Sequence, residues 1–416
     1  MSDWDFSTPP ESTIQDREVL QEGDYLAGKR IALLVTGSIA AIKAPLIARS
    51  LRRQGAEVVA FVSSEALRYT TSEALQWSTN DKVITQLTAA AEHLSDDNPF
   101  AAYVVAPATY NTINKIRYGI AEGVITSAIA SAIGRMERGK TQVLIAPTMH
   151  GSLHNSLLTE SLRYLRALGV TIIPPKVAYG KNNLPSEKAI VAAVIRAVSC
   201  SSLKRSSILV TGGATPVPID NIRILTNRFT GRLGGCIAEE LYYRGAKTKL
   251  IKGMGSYNPP DYLPHCLIDN YQEYRDTVIK ELSHNNYQAA IFSAAVADYQ
   301  LKEVFSGKIA SGGALQTLEL IPTAKVIQEV RAKFPHLKMI TFKYQENVSH
   351  KALIAIANNR IDQGYQMVVA NRGEEKGQND EQIAYLVTQA HSPQKAIGKA
   401  NIAKAIADWL EEQLDR

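Results

Sequence analysis

Ile31-Ala-Leu-Leu-Val-Thr36 runs directly into Gly37-Ser38, and a helical pattern with apolar Ile42, Leu46, Ile47 and Leu51 follows before Gly55. An unbroken apolar run of this length predicts a strand buried on both faces. The glycine-serine pair predicts a turn, and the stripe a helix closed by a basic turn and a glycine. Glu57-Val-Val-Ala-Phe-Val62 is the next strand. Strand, helix and strand in this order make a βαβ unit, hence a parallel sheet covered by helices. Further strands fit Tyr103-Val-Val-Ala106, Gln142-Val-Leu-Ile-Ala146 and Val170-Thr-Ile-Ile173. The same grammar restarts at Ile208-Leu-Val-Thr-Gly212, with a helix expected over 233–244 and strands over 248–251, 289–292, 338–341 and 367–370. The predicted class is α/β, with two doubly wound, Rossmann-like domains.

A length of 416 residues accommodates two domains with full cores. The joint is placed in the serine-rich segment 199–207, between domains at 28–198 and 208–416, with residues 1–27 as a loose polar tail. No apolar run approaches the ~18–20 residues that cross a bilayer, and the polar, acidic start is not a secretory signal. Three cysteines, Cys200, Cys236 and Cys266, exclude a disulfide framework and point to a reducing cytoplasm. The net charge of +6 is scattered, without the basic stripe or interleaved aromatics that nucleic-acid binding requires. A modest positive excess also suits substrates bearing phosphates and carboxylates.

In the first half, the strand ends carry small polar residues. Gly37, Ser38 and Ile39 open a helix, Ser63 ends the second strand, and Pro107, Thr109 and Asn111 follow the third. In a doubly wound sheet these ends converge on one crevice. Small residues leave room for a flat ring, and the free N–H groups of a helix start favour a phosphate. The glycines are too few for a dinucleotide fingerprint.

The second half holds Gly212-Gly213-Ala-Thr215, then Asn227-Arg-Phe-Thr-Gly231-Arg232 and, about seventy residues on, Ser293-Ala294-Ala295-Val-Ala-Asp298-Tyr299. Lys308-Ile309, Pro322-Thr323-Ala-Lys325, Phe342-Lys343 and Ala370-Asn371 complete the series. A glycine-rich turn after a strand lets backbone amides face a triphosphate, and Arg232 offers a planar fork to phosphate. Together these blocks resemble, in order, the ligase of coenzyme A biosynthesis that joins 4'-phosphopantothenate to cysteine.

The resemblance implies that the acid attacks a nucleotide's α-phosphate, giving an acyl-nucleotide and pyrophosphate, and that cysteine's amine then displaces the nucleotide monophosphate. It implies Mg²⁺ as an aid, Asn227 stabilising the acyl-nucleotide and Lys308 neutralising the triphosphate. Gly212, Gly213, Ala294, Ala295, Lys325, Phe342 and Asn371 would shape the nucleotide site, with Asp298 meeting the base or ribose. CTP is favoured, with ATP possible, because Thr341-Phe342-Lys343 leans toward the eukaryotic wording.

The first half resembles the flavin-containing cysteine decarboxylase family, a flavodoxin-like flavoprotein domain that is commonly fused in front of this ligase. The resemblance implies FMN at Gly37, Ser38, Ile39, Ser63, Pro107, Thr109 and Asn111, and a catalytic histidine at His93, fourteen positions before Pro107. A near-neutral histidine suits proton transfer beside a flavin. The chain departs from the family at three places. His150 stands for the asparagine that fixes the substrate carboxylate, His154 for the closing tryptophan, and Tyr179 for the flap cysteine that supplies a proton. An unperturbed tyrosine, at about 10, is a weaker acid than a thiol at about 8.5. No third ligand accompanies His150 and His154 at zinc spacing.

The expected activity is therefore ligation of phosphopantothenate to cysteine followed by FMN-dependent decarboxylation of the product, in a homo-oligomer. That oligomer would be trimer-based or dodecameric through the first domain and dimeric through the ligase. The alternative is a ligase whose flavin domain is degenerate, structural or active on another thiol. A nicotinamide dehydrogenase lacks its glycine fingerprint here.

Overall fold

Residues Ile31 to Val35 have no exposed surface because parallel strands flank them on both edges and helices cover both faces. The computed structural model describes residues 6–94, 97–312 and 317–415, and the first five residues of the expected tail lie outside them. The chain separates into two compact units, Met1–Ser199 and Cys200–Arg416. No helix among the described residues is long and apolar enough to cross a membrane.

The first unit begins with β1 (Arg30–Val35), α1 (Ala44–Arg52), β2 (Glu57–Val62), α2 (Ser72–Thr79) and β3 (Val83–Ile84). It continues through β4 (Ala102–Ala108), α3 (Tyr110–Arg117), α4 (Val124–Met136), β5 (Gln142–Pro147) and β6 (Met149–His150). It closes with α5 (Ser156–Ala167), β7 (Thr171–Ile172), β8 (Lys176–Ala178), β9 (Lys181–Asn183) and α6 (Glu187–Val198). The sheet runs β3-β2-β1-β4-β5-β7, all parallel. Strand order therefore reverses between β1 and β4, and the crevice opens at their carboxyl ends. Helices α3, α4 and α5 pack one face through Ile113, Ile129 and Leu158.

The apolar stripe expected along the first helix is only half buried. Ala44, Ile47, Ala48 and Leu51 form its inner face, while Ile42 and Leu46 are each 55% exposed. The inner face follows i, i+3, i+4, i+7 spacing from Ala44. Leu46 falls off that phase, and Ile42 lies in the preceding 3-10 turn, Ile39–Lys43. The later part of the expected tail is tied down: Glu22 and Leu26 donate their N–H groups to the Arg53 and Gln54 carbonyls, and Leu26 is fully buried.

The second unit opens with β10 (Ser207–Gly212), β11 (Ala214–Thr215), β12 (Val217–Pro218), β13 (Ile224–Leu225), α7 (Arg232–Tyr243), β14 (Lys247–Lys252) and β15 (His265–Leu267). Next come α8 (Tyr271–His284), β16 (Ala289–Phe292), β17 (Ala295–Val296), β18 (Tyr299–Leu301), β19 (Leu320–Pro322) and α9 (Val326–Lys333). The last elements are β20 (Lys338–Gln345), α10 (His350–Asp362), β21 (Met367–Arg372), β22 (Ile383–Val387), β23 (Gln394–Ile397) and α11 (Lys399–Leu414). Its main sheet runs β15-β14-β10-β16-β20-β21-β22-β23, parallel as far as β21 and antiparallel beyond. Helices α7 and α11 cover one face, and α8, α9 and α10 the other.

Two expectations are corrected. Strand β20 reaches Gln345 rather than stopping at Thr341, because Phe342 to Gln345 stay paired with Val369 to Arg372. Segment 199–207 is not a free linker. Leu203 in its middle is fully buried in the core beneath α11, and Ser207 already begins β10.

Candidate active sites

The crevice of the first unit is a cleft of about 1030 Å³ lined by Gly37, Ser38, Ser63, Thr109 and Asn111, together with Thr36, Thr112, Thr126, Ser127 and His150. Buried Thr36 ties its two walls together. Its Oγ1 donates to the Pro107 carbonyl at 2.7 Å and accepts the Thr109 N–H at 3.3 Å. Ser38 and Thr109 cap the helical segments that start at the cleft. Gly37 is required by close approach, since a Cβ there would lie 2.5 Å from Glu65 Cβ. Hydroxyl groups, an amide and helix starts around a cleft of this size suit a phosphorylated planar cofactor.

The segment after β5 and the hairpin β8–β9 form one small antiparallel sheet, β6-β9-β8. Met149 pairs with Asn182, and His154 Nδ1 meets Asn182 Nδ2 at 2.6 Å. His150 Nδ1 accepts the Ser152 N–H at 3.3 Å, which leaves the proton of the neutral ring on Nε2. Tyr179 is the exposed tip of the hairpin, at φ 53°.

Four residues expected at this site lie outside the lining of the cleft. Ile39 points to solvent at 68% exposure, Pro107 contributes a carbonyl to Thr36, Tyr179 stands at the hairpin tip, and His93 is elsewhere. The turn bearing His93 is held at the far end of α4, where Arg135 donates to the Leu94 carbonyl at 3.3 Å. From Ser127 at the cleft to Arg135 the helix spans roughly 12 Å.

The second unit gathers its glycines where β10 meets α7. Gly213 and Gly231 take φ of 83° and 82°, and a Cβ on Gly231 would lie 2.9 Å from Gly213 Cα. Ser293 Oγ donates to the Thr211 carbonyl at 2.7 Å, and Ala295 N–H to the Gly213 carbonyl at 2.8 Å, fixing the 293–298 wall against this turn.

The resulting pocket of about 490 Å³ is lined by Gly213, Asn227, Arg232, Ala294, Ala295, Asp298, Lys325, Phe342 and Asn371. Asn227 Nδ2 donates to the Ala295 carbonyl at 3.0 Å, and Lys325 pairs with Asp298. Gly212 lies behind the lining, against Gly234.

Lys308 is exposed and outside the lining, on a loop clasped by Asp220. One carboxylate oxygen of Asp220 accepts the Ile222 and Arg223 N–H groups, at 2.8 and 2.6 Å. The other accepts the Ile309 N–H at 3.0 Å and Arg223 Nη1 at 2.6 Å. These donors, the Ile309 amide foremost, hold the Asp220 pKa down at about 2.

Sequence reasoning passed over the lining side chains Arg360, Gln382 and Lys399, and quoted Phe229 and Lys343 within its blocks without giving either a role. One signal was available. Lys399 opens α11, and Arg232 opens α7, against the positive end of each helix. Such a placement makes sense beside an anion. In all, five cationic side chains, Arg232, Lys325, Lys343, Arg360 and Lys399, surround the single carboxylate of Asp298.

Comparison with known proteins gives two family matches. Residues 203–414 match the DNA/pantothenate metabolism flavoprotein C-terminal domain, and residues 20–199 match the family described as Flavoprotein. The chain is 33% identical over 396 residues to the coenzyme A biosynthesis bifunctional protein CoaBC of Thermococcus kodakarensis, covering 94% of this chain and 96% of that one. It is 29% identical over 390 residues to the protein of the same name from Methanocaldococcus jannaschii, covering 93% and 94%. A solved structure of the DNA/pantothenate metabolism flavoprotein from Streptococcus pneumoniae is 26% identical, covers 50% of this chain and 99% of that one, and gives a TM-score of 0.45.

Proposed function

The chain belongs to the family of bifunctional coenzyme A biosynthesis proteins, a ligase and a flavin-dependent decarboxylase in one polypeptide, and from that premise we propose how its two pockets divide the work. The second unit joins 4'-phosphopantothenate to cysteine at the expense of a nucleoside triphosphate. The first unit decarboxylates the product to 4'-phosphopantetheine.

The observation that carries the ligase reading is the charge of its pocket: five cationic side chains against one carboxylate. That excess matches a triphosphate. Arg232, at the start of α7 beside the Gly213 turn, holds nucleotide phosphates, and Lys308 approaches on its clasped loop. Asn227, fixed by the Ala295 carbonyl, orients the reacting acyl group. A carboxylate oxygen of the acid forms a bond to the α-phosphorus as pyrophosphate leaves. The amine of cysteine then attacks the acyl carbon, loses a proton and expels the nucleotide monophosphate.

The residues do not build a metal site by themselves, since Asp298 is the pocket's one carboxylate. Mg²⁺ would arrive carried on the nucleotide phosphates, whose oxygens supply its ligands, and would offset their charge as pyrophosphate leaves. CTP is the favoured nucleotide, with ATP the competitor, and a reducing cytoplasm is the proposed setting.

In the first unit, Gly37, Ser38, Ser63, Thr109 and Asn111 would hold FMN. When bound, FMN would supply a reversible two-electron store, accepting electrons from the thiol-bearing carbon and returning them once carbon dioxide is lost, so that the decarboxylation is redox-neutral overall. His150 lines the same cleft with its Nε2 proton available, so the substrate carboxylate can be held by this ring in place of an amide. Tyr179 is the proposed proton source on the hairpin.

An oligomer, trimer-based in this unit and dimeric in the ligase, is supported by two features. Ile39 and Ile42 on the 3-10 turn and Leu46 on the α1 helix that follows it are exposed apolar residues. His93 lies outside the cleft lining of its own chain, where another copy would have to bring it to a flavin.

The test is to incubate the purified protein with phosphopantothenate, cysteine, Mg²⁺ and either CTP or ATP, and to identify products by mass. Phosphopantothenoylcysteine, pyrophosphate and then carbon dioxide are expected. Absence of pyrophosphate with every nucleotide refutes the ligase reading, and ligation without carbon dioxide refutes the decarboxylase one.

A further inference from the structure

The carboxyl end of β20 sorts the cations of the ligase pocket onto two sides. Alternation along the strand puts Met339 in the core beneath α8 and α9, and Ile340 in the core beneath α7 and α11. Phe342 follows Ile340, so Lys343 falls on the side of Met339. Arg232 and Lys399 belong to the α7 side, where both influence the Cys236 thiol. Asp298, Lys325 and Arg360 surround Lys343 on the other side. Arg232 on the first side is assigned above to nucleotide phosphates, whereas Lys343 and Arg360 on the second contribute to the pocket's positive charge with no group assigned to either.

Charge on the second side does not balance. Asp298 is taken by Lys325. Arg360 Nη1 donates to the Phe342 carbonyl at 2.9 Å, and no acid among the described residues bonds it. Lys343 has neither a hydrogen bond nor an ion pair among the described residues. Burial, reinforced by Arg360 and Lys325, holds the Lys343 ammonium below the ordinary lysine pKa, although Asp298 opposes the trend. Three cations share the one carboxylate of Asp298, which already pairs with Lys325, and a bound anion offsets the cost of holding the other two half-buried.

We propose that Lys343 and Arg360 form a second anion subsite of the ligase pocket, which takes a phosphate group of a reactant. The inference rests on the ligase reading given above. A planar guanidinium fork beside a compact ammonium matches the several terminal oxygens of a phosphate better than one neutral acceptor. Two reactants supply such a group: the nucleotide, through the far end of its triphosphate, and the acid, through its 4'-phosphate.

Steady-state pyrophosphate release by the full-length protein distinguishes them, using Lys343→Gln, Arg360→Gln and Lys343→Arg. Each glutamine variant is expected to raise the KM of one phosphate-bearing reactant about tenfold or more, which corresponds to about 1.4 kcal/mol of binding. The turnover number should change much less, and Lys343→Arg should restore the KM to within about threefold, as a charge-borne effect requires. A rise confined to the nucleotide, with weaker competitive inhibition by inorganic pyrophosphate, assigns the subsite to the triphosphate. A rise confined to phosphopantothenate assigns it to the 4'-phosphate.

Unchanged KM values for both reactants in Lys343→Gln overturn the subsite, as does an equal loss in Lys343→Arg. A wild-type protein that forms no pyrophosphate with any nucleotide overturns the ligase reading and the subsite together, and is told apart by failing before any variant is made.

Discussion

At the scale of single residues, the ligase pocket depends on side chains held by backbone groups. Asn227 Nδ2 is fixed to the Ala295 carbonyl, and the side chain lines the pocket. Asn227→Ala should slow pyrophosphate release about 10²-fold, the usual cost of losing one oriented donor, while visible flavin absorbance stays. Lys308→Gln should slow it too, and wild-type rates in both variants would remove these residues from the mechanism. Asp220 acts on the same loop by a different route. Its folded pKa of about 2 lies below the unfolded value of about 3.9. The ionised clasp therefore stabilises the loop fully above about pH 4 and is lost as pH falls toward 2. Cleavage within residues 302–312 by an acid protease should be slow at about pH 5 and faster at about pH 3. Asp220→Asn should make it fast at both, and a pH-independent rate in the wild type would refute the clasp. Most pocket residues on strand ends were legible because a parallel sheet forces those ends together. Arg360 and Lys399 were not, because helices and not motifs bring them there, and only the misplaced charge at the start of α11 hinted at a bound anion.

At the scale of elements, the buried strands could be read because burial on both faces leaves no polar positions to confuse the pattern. β1, β2, β10 and β16 are of this kind. The hairpin β8–β9 and the edge strand β23 escaped notice, since Lys176, Val177 and Gln394 are exposed and the alternation is short. The end of β20 was missed for a related reason: Lys343 interrupts an apolar run, yet pairing with β21 continues past it. Strand β20 also carries a removable defect. Thr341 is 1% exposed, and its Oγ1 has no partner among the described residues. A buried, unpaired hydroxyl costs free energy that an isosteric methyl does not. Thr341→Val should therefore stabilise the second unit by about 1 kcal/mol, a rise of about 2–4 °C in its thermal midpoint. An unchanged or lower midpoint in calorimetry would show that this hydroxyl is satisfied in solution.

At the scale of the whole molecule, two chemistries share one chain, and each pocket is lined by residues of a single unit. The first unit buries its sheet beneath α3, α4 and α5, and the second beneath α7 and α11, with no residue common to the two clusters. The Gly37 turn belongs to the first and the Gly213 turn to the second, so each can be damaged alone. A Cβ at Gly37 would sit 2.5 Å from Glu65 Cβ, far inside van der Waals contact. Relief requires the turn that lines the flavin cleft to move. Gly37→Val should accordingly cost the purified protein its flavin absorbance and its carbon dioxide release. Formation of phosphopantothenoylcysteine and pyrophosphate should continue within about twofold of wild type, because sites in separate cores behave additively. Product mass spectrometry and flavin absorbance on the same preparation decide the matter. If ligation collapses together with flavin binding, the two pockets are energetically coupled and the division of labour between the units is wrong.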